Sequence, residues 1–144
     1  MDNNNPTPLS IVIVNYNVAH YLERCLKSLD PSMDVWVVDN ASKDESVAKV
    51  KKDFPWVNLI ESKENLGFSK AINLAVKKSK GEALLLLNPD TELKPHSHQR
   101  ILKYCTSLHA KAIGFRQVDK HGRFQLSFGF RPNVTNELLR RAVQ

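Results

Sequence analysis

Residues 9–14 read Leu-Ser-Ile-Val-Ile-Val, an almost unbroken run of apolar, mostly β-branched side chains. Such residues favour extended backbone. A strand without polar alternation has no face to turn toward water, so it must be covered on both sides. That points to a parallel sheet flanked by helices.

The rest of the chain supplies the partners this strand needs. Tyr21, Leu22, Cys25, Leu26 and Leu29 recur at the spacing of one helical face, with Pro31 punctuating the end. Val35–Val38 forms a second strand. Ser42 followed by Glu45 has the form of a capping box, and Val47, Val50 and Phe54 continue a helical stripe that Pro55 stops. Val57–Ile60 is the third strand. Phe68, Ala71, Ile72, Ala75 and Val76 mark a helix expected to end at Gly81. Ala83–Leu87 is the fourth strand and is expected to be the most central. Alternation of strands with helices of this length gives βαβ units and an α/β class. Pro95 suits the first turn of another helix through Ile101, Leu102 and Cys105. Ala112–Val118 and Phe124–Phe128 flank a turn at Asp119–Gly122 and read as a hairpin. Helical character returns from Pro132 through Leu139. Met1–Pro8, polar with two prolines, is expected to be a loose tail, and residues 9–144 a single domain.

Composition narrows the function classes. The chain carries 42% hydrophobic and 25% charged residues, as ordinary globular proteins do. The longest apolar run is far too short to cross a bilayer and the N-terminus lacks a signal-peptide pattern, so a cytoplasmic location is expected, with the inner face of the membrane within reach. Cys25 and Cys105 are far apart and outside any paired spacing; both are read as buried thiols, without zinc or disulfide. The formal charge of +6 suits an anionic partner, whether a nucleotide diphosphate or an acidic lipid surface. Lys51, Lys52, Lys77, Lys78 and Lys80 fall on outer helix faces. Nucleic acid is not expected, because clustered basic and aromatic positions are missing. A dinucleotide fold is disfavoured too, since Asn-Tyr-Asn and not a glycine-rich turn follows the first strand.

Open parallel sheets bind ligands beyond the carboxyl ends of their strands. Three of those ends are polar: Asn15, Tyr16 and Asn17 after the first strand, Asp39 and Asn40 after the second, and Asn88, Pro89 and Asp90 after the fourth. Asp90 suits Mg²⁺ or Mn²⁺, which take one or two protein carboxylates together with substrate phosphates. Asp39 suits a hydrogen bond from a nucleobase or ribose; a cap for the following helix is its alternative, with Ser42 better placed for that task. Asn65 and Gly67 open the third helix, where glycine lets a ligand approach unpaired amides and Lys70 adds charge; a plain glycine turn explains the same segment equally well. His96 and His98, two apart on a helix, point away from each other and read as surface residues, and Asp119 with His121 reads as turn chemistry.

The segments IVIVNYN, VVDNASKDES and ENLGFSKAINLAVKKSKGEALLLLNPDTELKP together resemble family 2 glycosyltransferases of the GT-A fold, and the rhamnosyltransferase-like branch in particular. The match runs from about Leu9 to Pro132. It implies a three-layer α/β/α sandwich with a mostly parallel sheet. It also implies transfer of a sugar from a UDP- or dTDP-linked donor to an acceptor hydroxyl, with inversion, in polysaccharide or cell-envelope glycan synthesis. By this resemblance Asn15, Tyr16, Asn17, Asp39, Asn40, Asn65, Gly67, Lys70 and Asn88 lie along the nucleotide, and the acceptor is a glycan or a lipid-linked sugar. Asn88-Pro89-Asp90 stands where the family has Asp-x-Asp, which leaves Asp90 as the principal ligand of a divalent metal. The acceptor half, with its aspartate base, is expected beyond Gln144. The chain is accordingly read as truncated at its C-terminus, either part of a longer enzyme or a remnant that binds a nucleotide sugar without catalysis.

Overall fold

The computed structural model describes residues 9–107, 112–119 and 121–125. They fall into two compact units, 1–109 and 110–144.

The first unit runs β1 (Leu9–Asn15), α1 (Ala19–Lys27), β2 (Asp34–Asp39), α2 (Ser46–Asp53), β3 (Asn58–Glu61), α3 (Phe68–Val76), β4 (Ala83–Leu86) and α4 (Ser97–Ser107). The strands form one parallel sheet in the order β3-β2-β1-β4. Because strand side chains alternate between faces, the sheet has two cores. On one face Ile11, Ile13, Val35 and Val37 pack with Leu22, Cys25 and Leu26 of α1, Val50 of α2 and Ile101 of α4. On the other, Val12 and Val38 meet Ala71 and Ala75 of α3, whose small side chains let that helix lie close to the strands. The result is the expected three-layer α/β/α arrangement. Ile11, Ile13, Leu22 and Leu26 are fully buried, each contributing about 1.5–3 kcal/mol relative to exposure.

Several expectations need correction. β4 is not central: β1 and β2 are, and among the described residues β4 is an edge strand. Its Leu84 and Leu86 are 43% and 51% exposed while Ala83 and Leu85 pack against the α1 side. A run of leucines looks the same whether one face or both are covered, and strand order depends on pairings distant in sequence. α3 stops at Val76, where Lys78 and Ser79 amides both return to the Ala75 carbonyl; Gly81 therefore ends no helix. α2 begins at Ser46, and its first amide is met by Asp44 Oδ1 at 3.0 Å, not by Ser42. The Ser42 hydroxyl is already engaged by β1 and the turn after it. Cys25 is buried as expected, but Cys105 is only half-buried.

The second unit contains β5 (Gln117–Val118) and β6 (Phe124–Gln125), paired antiparallel. Asp119 Oδ1 accepts from the His121 and Arg123 amides, both at 2.9 Å, and Gly122 has a φ of 78°. Asp119 and His121 are thus turn residues, as read from sequence. Residues 126–128 of the expected hairpin, the tail before Leu9 and the segment from Pro132 lie outside the described residues.

Candidate functional site

In a parallel sheet all strands end on the same rim, so Asn15, Asp39 and the residues after β4 share one side of the molecule. The polar side chains there form three groups.

The first joins β1 to β2. Asn15 stands opposite Asp39 in register, and the Asn40 amide donates to the Asn15 carbonyl at 2.8 Å. Asn15 is 0% exposed and Asp39 3%. Burial of two such groups requires partners, and each is the other's: Asn15 Nδ2 donates to Asp39 Oδ1 at 2.8 Å. Asn15 Nδ2 also donates to Ser42 Oγ at 3.1 Å, and the Ser42 amide donates to Asp39 Oδ2 at 2.9 Å. The capping alternative for Asp39 is therefore met in part, since it binds the loop leading to α2. Asn17 adopts a left-handed φ of 55°, which asparagine tolerates. Its amide donates to Ser42 Oγ and its Oδ1 accepts from the Lys43 amide. Asp44 completes the loop by accepting from the Ala19 amide at the start of α1. Burial works to raise the Asp44 carboxyl, but the Ser46 hydroxyl and the Ala19 and Ser46 amides outweigh it and hold it below the usual value. Ser42 and Asp44 are contributors the sequence reading missed: Ser42 reads there as a helix cap, and Asp44 is not singled out.

The second group ties β2 to the start of α3. Asn40, 3% exposed, donates to Asn65 Oδ1 at 2.8 Å and accepts from the Leu66 amide at 2.8 Å. Asn65 Oδ1 accepts in turn from the Gly67 amide at 2.9 Å. Gly67 has a φ of 74° and open space where a Cβ would stand. Among the described residues no side chain caps α3, and the amides of a helix's first turn attract anions. Lys70 lies exposed in that first turn.

The third group is the loop after β4. Cys25 Sγ donates to the Asn88 carbonyl at 3.8 Å, the Leu93 amide donates to Ser28 Oγ at 3.0 Å, and Glu92 is ion-paired to Arg24. α1 thereby holds the loop at three points. Burial pushes the Cys25 thiol up to about 12, and the nearby Asp90 and Glu92 carboxylates add to it. Asp90 itself is exposed, with the Thr91 hydroxyl at 3.4 Å. Among the described residues no three His, Cys, Asp or Glu side chains converge. Asp90 offers exposed carboxylate oxygens of the kind a hard cation takes. Asn88 and Tyr16 are exposed on the rim, and no hydrogen bond among the described residues joins this group to the other two. His96 is exposed and His98 half-buried.

Residues 10–142 match the sequence model of the family described as Glycosyl transferase family 2. The chain belongs to that family. A Haemophilus influenzae protein named an uncharacterized glycosyltransferase is 30% identical over 99 residues, covering 66% of this chain and 33% of that relative. The family member described here thus spans about a third of that relative's length. Its fold is shared with S. aureus TarS, residues 1–349, in complex with UDP-GlcNAc, at a TM-score of 0.63 and 21% identity over 76% of this chain and 37% of that one. A Pyrobaculum calidifontis mannosyltransferase in complex with GDP-Man and Mn²⁺ gives a TM-score of 0.61 at 23% identity, covering 78% of this chain and 35% of that one. No described helix is long and apolar enough to cross a membrane.

Proposed function

We propose that this family 2 chain is the donor-binding portion of a glycosyltransferase. It grips a UDP- or dTDP-linked sugar at the carboxyl rim of its sheet, for inverting transfer to a hydroxyl of a glycan or lipid-linked acceptor in polysaccharide or envelope synthesis. What supports this reading is that the Asn15–Asp39 pair, the Asn40–Asn65 clamp and Asp90 all lie on the side of the sheet where its parallel strands end. Family membership and the nucleotide sugars bound by the two structural neighbours support it.

In this reading Asp39 accepts a hydrogen bond from the nucleoside, flanked by Tyr16 and Asn17. The amides after Gly67, with Lys70 and Asn88, face the diphosphate. Asp90 holds a divalent cation, Mg²⁺ or Mn²⁺, which when bound neutralises charge building on the leaving diphosphate. Location at the inner face of a membrane and the rhamnosyltransferase-like branch belong to the same proposal; the branch rests on motif spelling.

Calorimetric titration of the 144-residue chain with UDP- and dTDP-sugars, with and without Mn²⁺, tests it. Asp90→Ala is expected to remove the gain in affinity that Mn²⁺ gives, and Asp39→Ala to weaken binding roughly tenfold or more whether or not metal is present. Full Mn²⁺ dependence surviving in Asp90→Ala would rule out its role, and turnover assays with acceptor glycans separate transfer from binding alone.

A further inference from the structure

Asn15 is wholly buried and polar, and its amide is used unevenly. Nδ2 donates twice, to Asp39 Oδ1 and Ser42 Oγ. Oδ1, equally buried, accepts from nothing among the described residues. Orphaned buried acceptors are destabilising and uncommon, so one in the middle of a packed strand end calls for a cause.

The cause lies across the ladder. Turning the amide over would let the Ser42 hydroxyl donate to Oδ1, but it would move Nδ2 and its two hydrogens to the place where Oδ1 now has no partner among the described residues. It would also set that oxygen against Asp39 Oδ1, which now accepts from Nδ2, acceptor facing acceptor. The amide is therefore oriented by Asp39, and the orphan is the consequence. Asp39 is gripped in return: Oδ1 by Asn15 Nδ2 at 2.8 Å and Oδ2 by the Ser42 amide at 2.9 Å, so the carboxylate cannot rotate without breaking two bonds.

Taking Asp39 as the nucleoside contact proposed above, we infer that Asn15 is a positioning residue that touches no part of the nucleotide but fixes the Asp39 carboxylate in a single orientation at the rim. At 0% exposure Asn15 has no surface to present to a ligand. Its bond to Asp39, at 2.8 Å between two buried side chains, holds that carboxyl group from the neighbouring strand. A local rule broken at a rim that binds ligand is where such a device is expected.

The test titrates UDP and UMP, with Mn²⁺, into the full chain and three variants. Asn15→Leu removes both donors and is expected to weaken UDP and UMP by the same factor, roughly tenfold, with Mn²⁺ dependence unchanged, because the loss falls on the nucleoside side. The exchange Asn15→Asp with Asp39→Asn rebuilds an amide–carboxylate pair with the charge on β1. It is expected to melt close to the wild type while UDP affinity stays lost, which a purely structural pair would not produce. Wild-type affinity in Asn15→Leu, beside a loss in Asp39→Ala, overturns the positioning role and leaves the Asp39 reading standing. Asp39→Ala without effect overturns that reading itself. Recovery of affinity in the exchange variant also overturns the Asp39 reading; where Asn15→Leu fails to fold, Asn15→Ala is titrated in its place, and wild-type UDP affinity there overturns the positioning role.

Discussion

Gly81 packs so tightly against Ser10 that a Cβ on it would stand 2.4 Å from the Ser10 backbone nitrogen and 2.8 Å from the Leu9 carbonyl carbon. The Gly81 amide donates to Ser10 Oγ at 2.8 Å, and that hydroxyl donates onward to Asp34 Oδ2. Asp34 also accepts from the Trp36 indole at 2.9 Å. This network secures the edge of the sheet opposite the carboxyl ends of its strands. Ser10 Oγ would stand 2.6 Å away, and because the nearest atom is backbone, Gly81→Ala can be accommodated only by moving β1 or the entry to β4, a cost of roughly 1–3 kcal/mol. Urea denaturation is expected to show a lower midpoint at unchanged slope; a midpoint equal to the wild type's would mean the approach is softer than the structure shows.

Glu23 on α1 is paired with Lys27 at 2.7 Å and with Lys49 of α2 at 2.6 Å. Hydrogen bonds and charge from Lys27 and Lys49 lower its carboxyl from 4.5 to about 2. The folded value lies below the unfolded one, so the native state gains stability that is fully present above pH 4.5 and is lost as pH falls toward 2. Melting temperature followed from pH 5 to pH 2 is expected to drop less steeply for Glu23→Gln than for the wild type, and 1 M salt is expected to narrow the difference. Parallel curves for the two proteins would show that the pair contributes nothing.

Much of the fold was legible because local choices agreed with the global one. Leu9–Val14 is β-branched, the helices carry apolar stripes, and the polar crown after β1, β2 and β4 stands where an open sheet binds ligands. What escaped notice was non-local. Gly81 looks like a helix stop, yet its role is set by Ser10, 71 residues away. Ala83–Leu87 looks like a central strand, yet its neighbours leave Leu84 and Leu86 exposed. Ser42 and Glu45 have the spelling of a capping box, but Asn15 and Asn17 reach the hydroxyl first. That Asn15 and Asp39 would stand on one rim followed from the pattern; that their strands are neighbours and that the two side chains bond depends on pairing and register, which no short motif encodes.

Asn40 joins the first two polar groups of the rim, its amide bonded to the Asn15 carbonyl and its side chain to Asn65, and its effect on the fold is separable from ligand binding. Its side chain satisfies the Leu66 amide and, through Asn65 Oδ1, shapes the turn that sets Gly67 at its left-handed φ of 74°. Asn40→Ala leaves the half-buried Leu66 amide without its acceptor and frees Asn65, a loss of about 1–3 kcal/mol. Asn40→Asp keeps the acceptor for Leu66 but presents oxygen to Asn65 Oδ1, so Asn65 must turn its amide over and give up the Gly67 bond; its cost is expected to be the smaller. Hydrogen exchange distinguishes the two. In Asn40→Ala the Leu66 and Gly67 amides are both expected to exchange faster, whereas in Asn40→Asp only Gly67 does. Unchanged protection of Leu66 in Asn40→Ala would mean that the backbone after β3 holds the start of α3 in place without Asn40.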